Sequence, residues 1–107
     1  MQCYAIGLLR SVRMGPDIVA YLEAIDATLA PYHGRFLIHG GEKHMLEGTF
    51  DADVIVIAFP DRASAEAWYR SPAYRQILGL RTANAEGMVF LIDGVDATHK
   101  ATDILSR

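Results

Sequence analysis

The sequence contains one cysteine, Cys3, so no disulfide can form within the chain. That scarcity suits a reducing compartment. No run of basic residues occurs, and a formal charge of −3 with both signs spread along the chain leaves no electrostatic footprint for nucleic acid. No apolar run approaches the roughly 20 residues of a membrane helix. No polybasic or amphipathic anchor points to a membrane surface. Met1 to Leu9 lack the charged start and long apolar stretch of a signal peptide. These absences together place the protein in the cytoplasm. Phosphate-cradling loops are missing too, because Gly40-Gly41 has neither the P-loop nor the dinucleotide spacing. There is no internal repeat and no low-complexity segment.

An apolar fraction of 51% in 107 residues is enough to build one core and excludes a disordered chain. Gln2 to Leu9 reads as a strand with Tyr4, Ile6 and Leu8 on one face and Cys3, Ala5, Gly7 and Leu9 on the other. Gly15-Pro16 punctuates the chain and starts a helix. Its stripe is Ile18, Leu22, Ile25 and Leu29, with Tyr21 beside it, and Pro31 ends it. His33 to Gly48 reads as a long strand, bent at Gly40-Gly41. Thr49 to Asp53 turns it into Val54 to Phe59, an apolar strand that requires cover on both faces. Asp61 is the N-cap expected for a second helix with Ala65, Trp68, Tyr69 and Pro72 inward. Ser71-Pro72 restarts a short helix that aligns Tyr74, Ile77, Leu78 and Arg81. Met88 to Ile92 is the last strand. Residues 1–95 therefore form one domain and 96–107 a C-terminal tail, expected to be mobile.

The order β-α-β-β-α-β is the split βαβ pattern of a ferredoxin-like α+β domain. Both helices of such a domain lie on one face of the sheet. The strands here are apolar on the other face as well, and a homodimer is the simplest cover for it.

Strand parity puts Arg35 and His39 on one face, with Phe36 and Ile38 on the face that meets the helices. Two readings follow. Either Arg35 holds an anion beside a proton-shuttling His39, or the two make an interface salt bridge and a structural hydrogen bond. Trp68, Tyr69 and Tyr74 either line a small-molecule pocket with their polar tips or belong to the core. Ser71 has no nucleophile-elbow pattern around it and reads as an N-cap. Cys3 reads as buried strand filling. His33, His39 and His44, with Glu42 and Glu47 nearby, match no recognised ligand spacing, so no metal is expected.

Several segments together form a signature. They are Tyr32-His33-Gly34-Arg35-Phe36-Leu37, His39-Gly40-Gly41, Leu46-Glu47-Gly48, Phe59-Pro60, and Ala67-Trp68-Tyr69-Arg70-Ser71-Pro72-Ala73-Tyr74. In this set the chain resembles the domain of unknown function 1330 family, over about Tyr4 to Gly94. The resemblance implies a ferredoxin-like fold assembled as a dimeric α+β barrel, and it implies no established reaction. The chain departs from the family's usual Gly-Gly-Arg at His33-Gly34-Arg35 and from its common Arg-Gly-Gly at His39-Gly40-Gly41. Three functions compete. One is a cofactor-independent enzyme acting on a small anionic or aromatic metabolite, with His39 as catalytic residue and Arg35, Trp68, Tyr69 and Tyr74 binding the substrate. Another is a non-catalytic module that binds or senses such a ligand. The third is a dimer in which these residues are purely structural.

Overall fold

The structure, a computed structural model, describes residues 1–106. Its elements are β1 (Cys3–Arg10), α1 (Pro16–Leu29), β2 (Arg35–His39), β3 (Asp53–Phe59), α2 (Arg62–Arg70), α3 (Pro72–Thr82) and β4 (Glu86–Asp93). The four strands form one antiparallel sheet in the order β2-β3-β1-β4. This is the ferredoxin-like α+β arrangement expected from the sequence.

Local chemistry explains the boundaries. Pro16 opens α1, where its missing N–H would have no partner. The Asp61 carboxylate accepts the Ser64 N–H at 2.8 Å and caps α2, which also holds its pKa below the ordinary carboxylate range. Ser71 Oγ accepts the Tyr74 N–H at 3.2 Å and caps α3, one residue ahead of Pro72. Gly34 sits where an added Cβ would lie 2.7 Å from the Phe59 ring and 2.8 Å from Leu29, so its bareness lets the turn into β2 close over the core.

The helices cover one face of the sheet. Cys3 and Ala5 of β1 and Ile57 and Phe59 of β3 pack against Tyr21, Ile25 and Leu29 of α1, Ala65 and Trp68 of α2, and Tyr74 of α3. Cys3 is fully buried, and burial pushes its thiol pKa up, so it is an inert filler. The opposite, outer face presents Tyr4, Ile6 and Leu8, with Val54 and Val56 beside them and Met88, Phe90 and Ile92 on β4. Phe90 is 41% exposed and Ile92 51% in the single chain.

Two expectations are corrected by the sheet. The long second strand is only Arg35–His39, and the chain from Gly40 to Ala52 carries no regular structure. The Gly40 N–H still reaches the Val54 carbonyl at 2.9 Å, but Gly40 and Gly48 then take φ of +69° and +73°, which extended strand does not permit. The register of β2 against β3 also slips between Phe36 and Ile38. That bulge at Leu37 reverses the alternation beyond it. Arg35 pairs with Ala58 and Ile38 with Val56, on the outer face; Phe36 pairs with Ile57 and His39 with Ile55, on the helix face. Arg35 and His39 are therefore on opposite sides of the sheet, and Ile38 does not meet the helices.

Past the sheet, Ala101–Ser106 makes an exposed 3-10 turn within the expected tail, whose last residue, Arg107, lies outside the described residues. No helix is long and apolar enough to cross a membrane among the described residues.

Candidate functional site

The helices do not seal the sheet completely. Between them lies a cavity of about 240 Å³. Its floor is Ala5 and Gly7 of β1, Ile55 and Ile57 of β3 and Val89 of β4. Gly7 sits at the centre of that floor. An ideal Cβ there would make only ordinary van der Waals contacts, 3.6 Å to Ile55 Cβ and 4.0 Å to Val89, so the bare position has room for a methyl group. Ile18, Tyr21, Leu22 and Ile25 of α1 form the roof with Tyr74 and Arg81 of α3, and Trp68 closes one end.

His39, Asp53, Val12 and Met14 lie around the open side. The β1–α1 loop that carries Val12 and Met14 is tied to the end of α3. The Arg13 N–H donates to the Asn84 carbonyl at 2.7 Å, and Asn84 Nδ2 donates to the Asp17 carboxylate at 3.2 Å. The loop is thus fixed at the rim by bonds remote in sequence.

The polar groups inside are few and converge. Tyr21 and Tyr74 share a hydrogen bond of 2.7 Å between their hydroxyls, and their rings meet edge to face at 6.2 Å. An Arg81 guanidinium nitrogen points at the Tyr74 oxygen from 3.5 Å, and its carbon lies 5.9 Å from the Tyr21 ring centroid. Burial, and then the neighbouring Tyr74 oxygen, push the Tyr21 pKa far above its ordinary value, so this phenol stays protonated in neutral solution. Burial works against the charge of Arg81, but the Tyr74 and Tyr21 oxygens beside it hold its pKa above the ordinary value. Trp68 is 2% exposed and donates its indole N–H to Thr28 Oγ1 at 3.0 Å, and Thr28 in turn donates to the Ile25 carbonyl at 2.7 Å. Its ring contacts Tyr74 at 4.2 Å and Phe59 at 5.4 Å between centroids.

A family model described as "Domain of unknown function (DUF1330)" matches residues 2–95. The chain belongs to this family. A search of curated proteins gives no match. Among solved structures, a protein of unknown function from Rhodopseudomonas palustris is similar, with 20% identity over 89% of this chain and 83% of that one and a TM-score of 0.67. A dimeric ferredoxin-like protein of unknown function from Jannaschia sp. CCS1 is 13% identical over 88% and 100% of the two chains, with a TM-score of 0.64. SnoaB, a cofactor-independent oxygenase from Streptomyces nogalater, is 10% identical over 92% and 98%, with a TM-score of 0.61. At these identities the likeness is one of fold.

Within this DUF1330 chain, the residues singled out from sequence divide between places. His39, Trp68 and Tyr74 line the cavity. Tyr69 does not; it lines an adjoining groove between α2 and β4 with Glu66, Arg70, Phe90 and Leu91, which shares Ala5, Trp68 and Val89 with the cavity, and Arg75 stands over its ring at 4.8 Å. Arg35 is on the outer face. Tyr21 and Arg81 were visible in sequence only as members of helical stripes. The signal for them was an arginine seven residues after Tyr74 on an otherwise apolar face, a spacing of two helical turns. Among the described residues, no three His, Cys, Asp or Glu side chains group as a metal site would require.

Proposed function

We propose that the protein is a cytoplasmic homodimer that takes a small anionic or aromatic metabolite into the helix–sheet cavity and acts on it without a bound cofactor. The cavity carries this reading: apolar walls, a few converging polar groups, and a histidine on the open side. Such a lining is the usual form of a small-molecule site. Its volume of about 240 Å³ is below the roughly 300–1,000 Å³ of drug-sized pockets. It exceeds the roughly 150 Å³ that accommodates benzene. One ring with a short substituent is the size that fits. The fold shared with the cofactor-independent oxygenase supports chemistry of this kind.

The roles follow from the groups. Tyr21 keeps its proton and serves as a donor. His39 is the imidazole on the cavity wall and takes the role of general base. In the step assigned to it, a C–H or O–H proton of the substrate passes to an imidazole nitrogen and the electron pair stays on the substrate. Trp68 and Tyr74 bind the body of the substrate. Arg35 and Tyr69, outside the cavity, belong to other surfaces. The homodimer is supported by the apolar outer face and by the fold shared with a dimeric ferredoxin-like protein.

A second reading, a non-catalytic binding or sensing module, draws on one observation. Among the described residues, no side chain hydrogen-bonds to His39; its ring instead stacks on Phe36 at 4.4 Å. A thermal-shift screen of small acids and aromatic compounds, followed by mass spectrometry of each hit after incubation, separates the readings. Turnover that His39→Ala abolishes while binding persists supports the enzyme. A hit returned unchanged by the wild type supports the module. A screen without hits removes the cavity as a ligand site.

A further inference from the structure

The polar side of the cavity offers donors and no acceptor left to satisfy them. Two phenol hydroxyls bring two protons. One is spent in the bond between Tyr21 and Tyr74, and among the described residues the other has no acceptor. The Arg81 guanidinium has five N–H groups, and its hydrogen-bonding partners are the two phenol oxygens alone among the described residues, Tyr74 by a long contact of 3.5 Å and Tyr21 beside it. Among the described residues no carboxylate lies within 4.0 Å of it, although on the surface Arg10 has one such partner and Arg62 two. The charge of this half-buried guanidinium is favoured by two phenol oxygens and, among the described residues, has no anionic partner.

We propose that Arg81, with the spare hydroxyl proton of the Tyr21–Tyr74 pair, is the receptor for a singly charged oxygen anion, a carboxylate or phenolate, on an aromatic body. This rests on the cavity being a ligand site. The single charge follows from the lining. Among the described residues Arg81 is the only arginine or lysine in the cavity wall, and Asp53 at the rim disfavours a second negative charge. A phosphate monoester would bring nearly two charges to one guanidinium. The aromatic body follows from the volume and from the indole and phenol rings at the closed end. A planar guanidinium and a planar carboxylate also match in geometry.

The chain supplies its own reporter, since Trp68 is its single tryptophan and lines the cavity. The probes are phenylacetate and its neutral isostere phenylacetamide, titrated at neutral pH against Trp68 fluorescence and thermal midpoint. Wild type is expected to bind phenylacetate about tenfold or more tightly than the amide, the usual scale for a charge-assisted hydrogen bond. Arg81→Gln should erase that preference, whereas Arg81→Lys should keep part of it. Tyr74→Phe should weaken phenylacetate binding and retain the sign of the preference. Equal binding of both probes by wild type overturns the anion receptor and leaves the cavity as a ligand site. A preference that survives Arg81→Gln also overturns it. If neither probe perturbs Trp68 or the midpoint, the cavity reading fails, and this inference fails with it.

Discussion

The hydroxyls of Tyr21 and Tyr74 lie 2.7 Å apart although their positions are 53 residues apart in the chain. The bond ties the middle of α1 to the first turn of α3 at the edge of a cavity, in surroundings where neither oxygen can readily turn to water. Removing one partner leaves the other unsatisfied. Tyr74→Phe should therefore cost about 1–3 kcal/mol, read from denaturant midpoints at unchanged slope. In a double-mutant cycle, Tyr21→Phe and Tyr74→Phe together should cost less than the sum of the single changes. Additive costs would mean that the bond contributes nothing.

The raised pKa of Tyr21 also makes a stability prediction with a definite sign. In the unfolded chain a tyrosine ionises near pH 10; in the fold, burial and the Tyr74 oxygen delay ionisation to higher pH. The folded state then holds a proton that the unfolded state has lost. Stability from this group is complete below about pH 10 and is lost as pH rises beyond it. Equilibrium unfolding between pH 9 and 11 should show the decline, with a shallower slope in Tyr21→Phe. Identical slopes would place that phenol in contact with solvent.

Trp68 is the largest single anchor of α2. Trp68→Ala should cost about 3–5 kcal/mol through cavity formation. Thr28→Val keeps the volume but removes the acceptor of the indole N–H, so it should cost about 1–3 kcal/mol and shift the fluorescence of Trp68. An unchanged midpoint for Trp68→Ala would contradict its burial.

Gly7 is a lever on the cavity that leaves the helices alone. Contacts at 3.6–4.0 Å leave room for a Cβ. Gly7→Ala should fold normally, while Gly7→Val should occupy the floor and abolish probe binding with little loss of thermal midpoint. A Gly7→Val protein that still quenches on adding phenylacetate would show that the ligand sits elsewhere.

The outer sheet face makes its own prediction. Light scattering at micromolar concentration should give about twice the chain mass of 11.8 kDa. Phe90→Glu, at a position already 41% exposed in the single chain, should yield a folded monomer. A native dimer from that variant would place the interface on another surface.

The fold was legible because its signals were local. Pro16, Asp61 and Ser71-Pro72 mark helix starts by chemistry that needs no tertiary context, and Ile18, Ile25 and Leu29 mark a face by spacing alone. Trp68 and Tyr74 were legible as a cluster for the same reason. The pairing of Arg35 with His39 was not, because it rested on unbroken alternation over five residues. A bulge is a property of two strands together, and nothing in Arg35 to His39 read alone announces it. The second strand ended early for a related reason: beyond Gly40 it has no neighbour to hold it. Arg81 was hidden because a charge on a helical stripe ordinarily reads as surface.

A strand with a bulge can change what a pocket contains without changing the type of any side chain. In β2, one unpaired position at Leu37 turns His39 toward the helices and leaves Arg35 facing outward. Were Leu37 instead paired in regular alternation, with no bulge, Arg35 and His39 would share a face and the imidazole would point outward. The chemistry available inside this fold is therefore governed by strand pairing as much as by residue identity. Two chains with identical residues at the pocket positions of an alignment can differ in function through the presence or absence of one bulge.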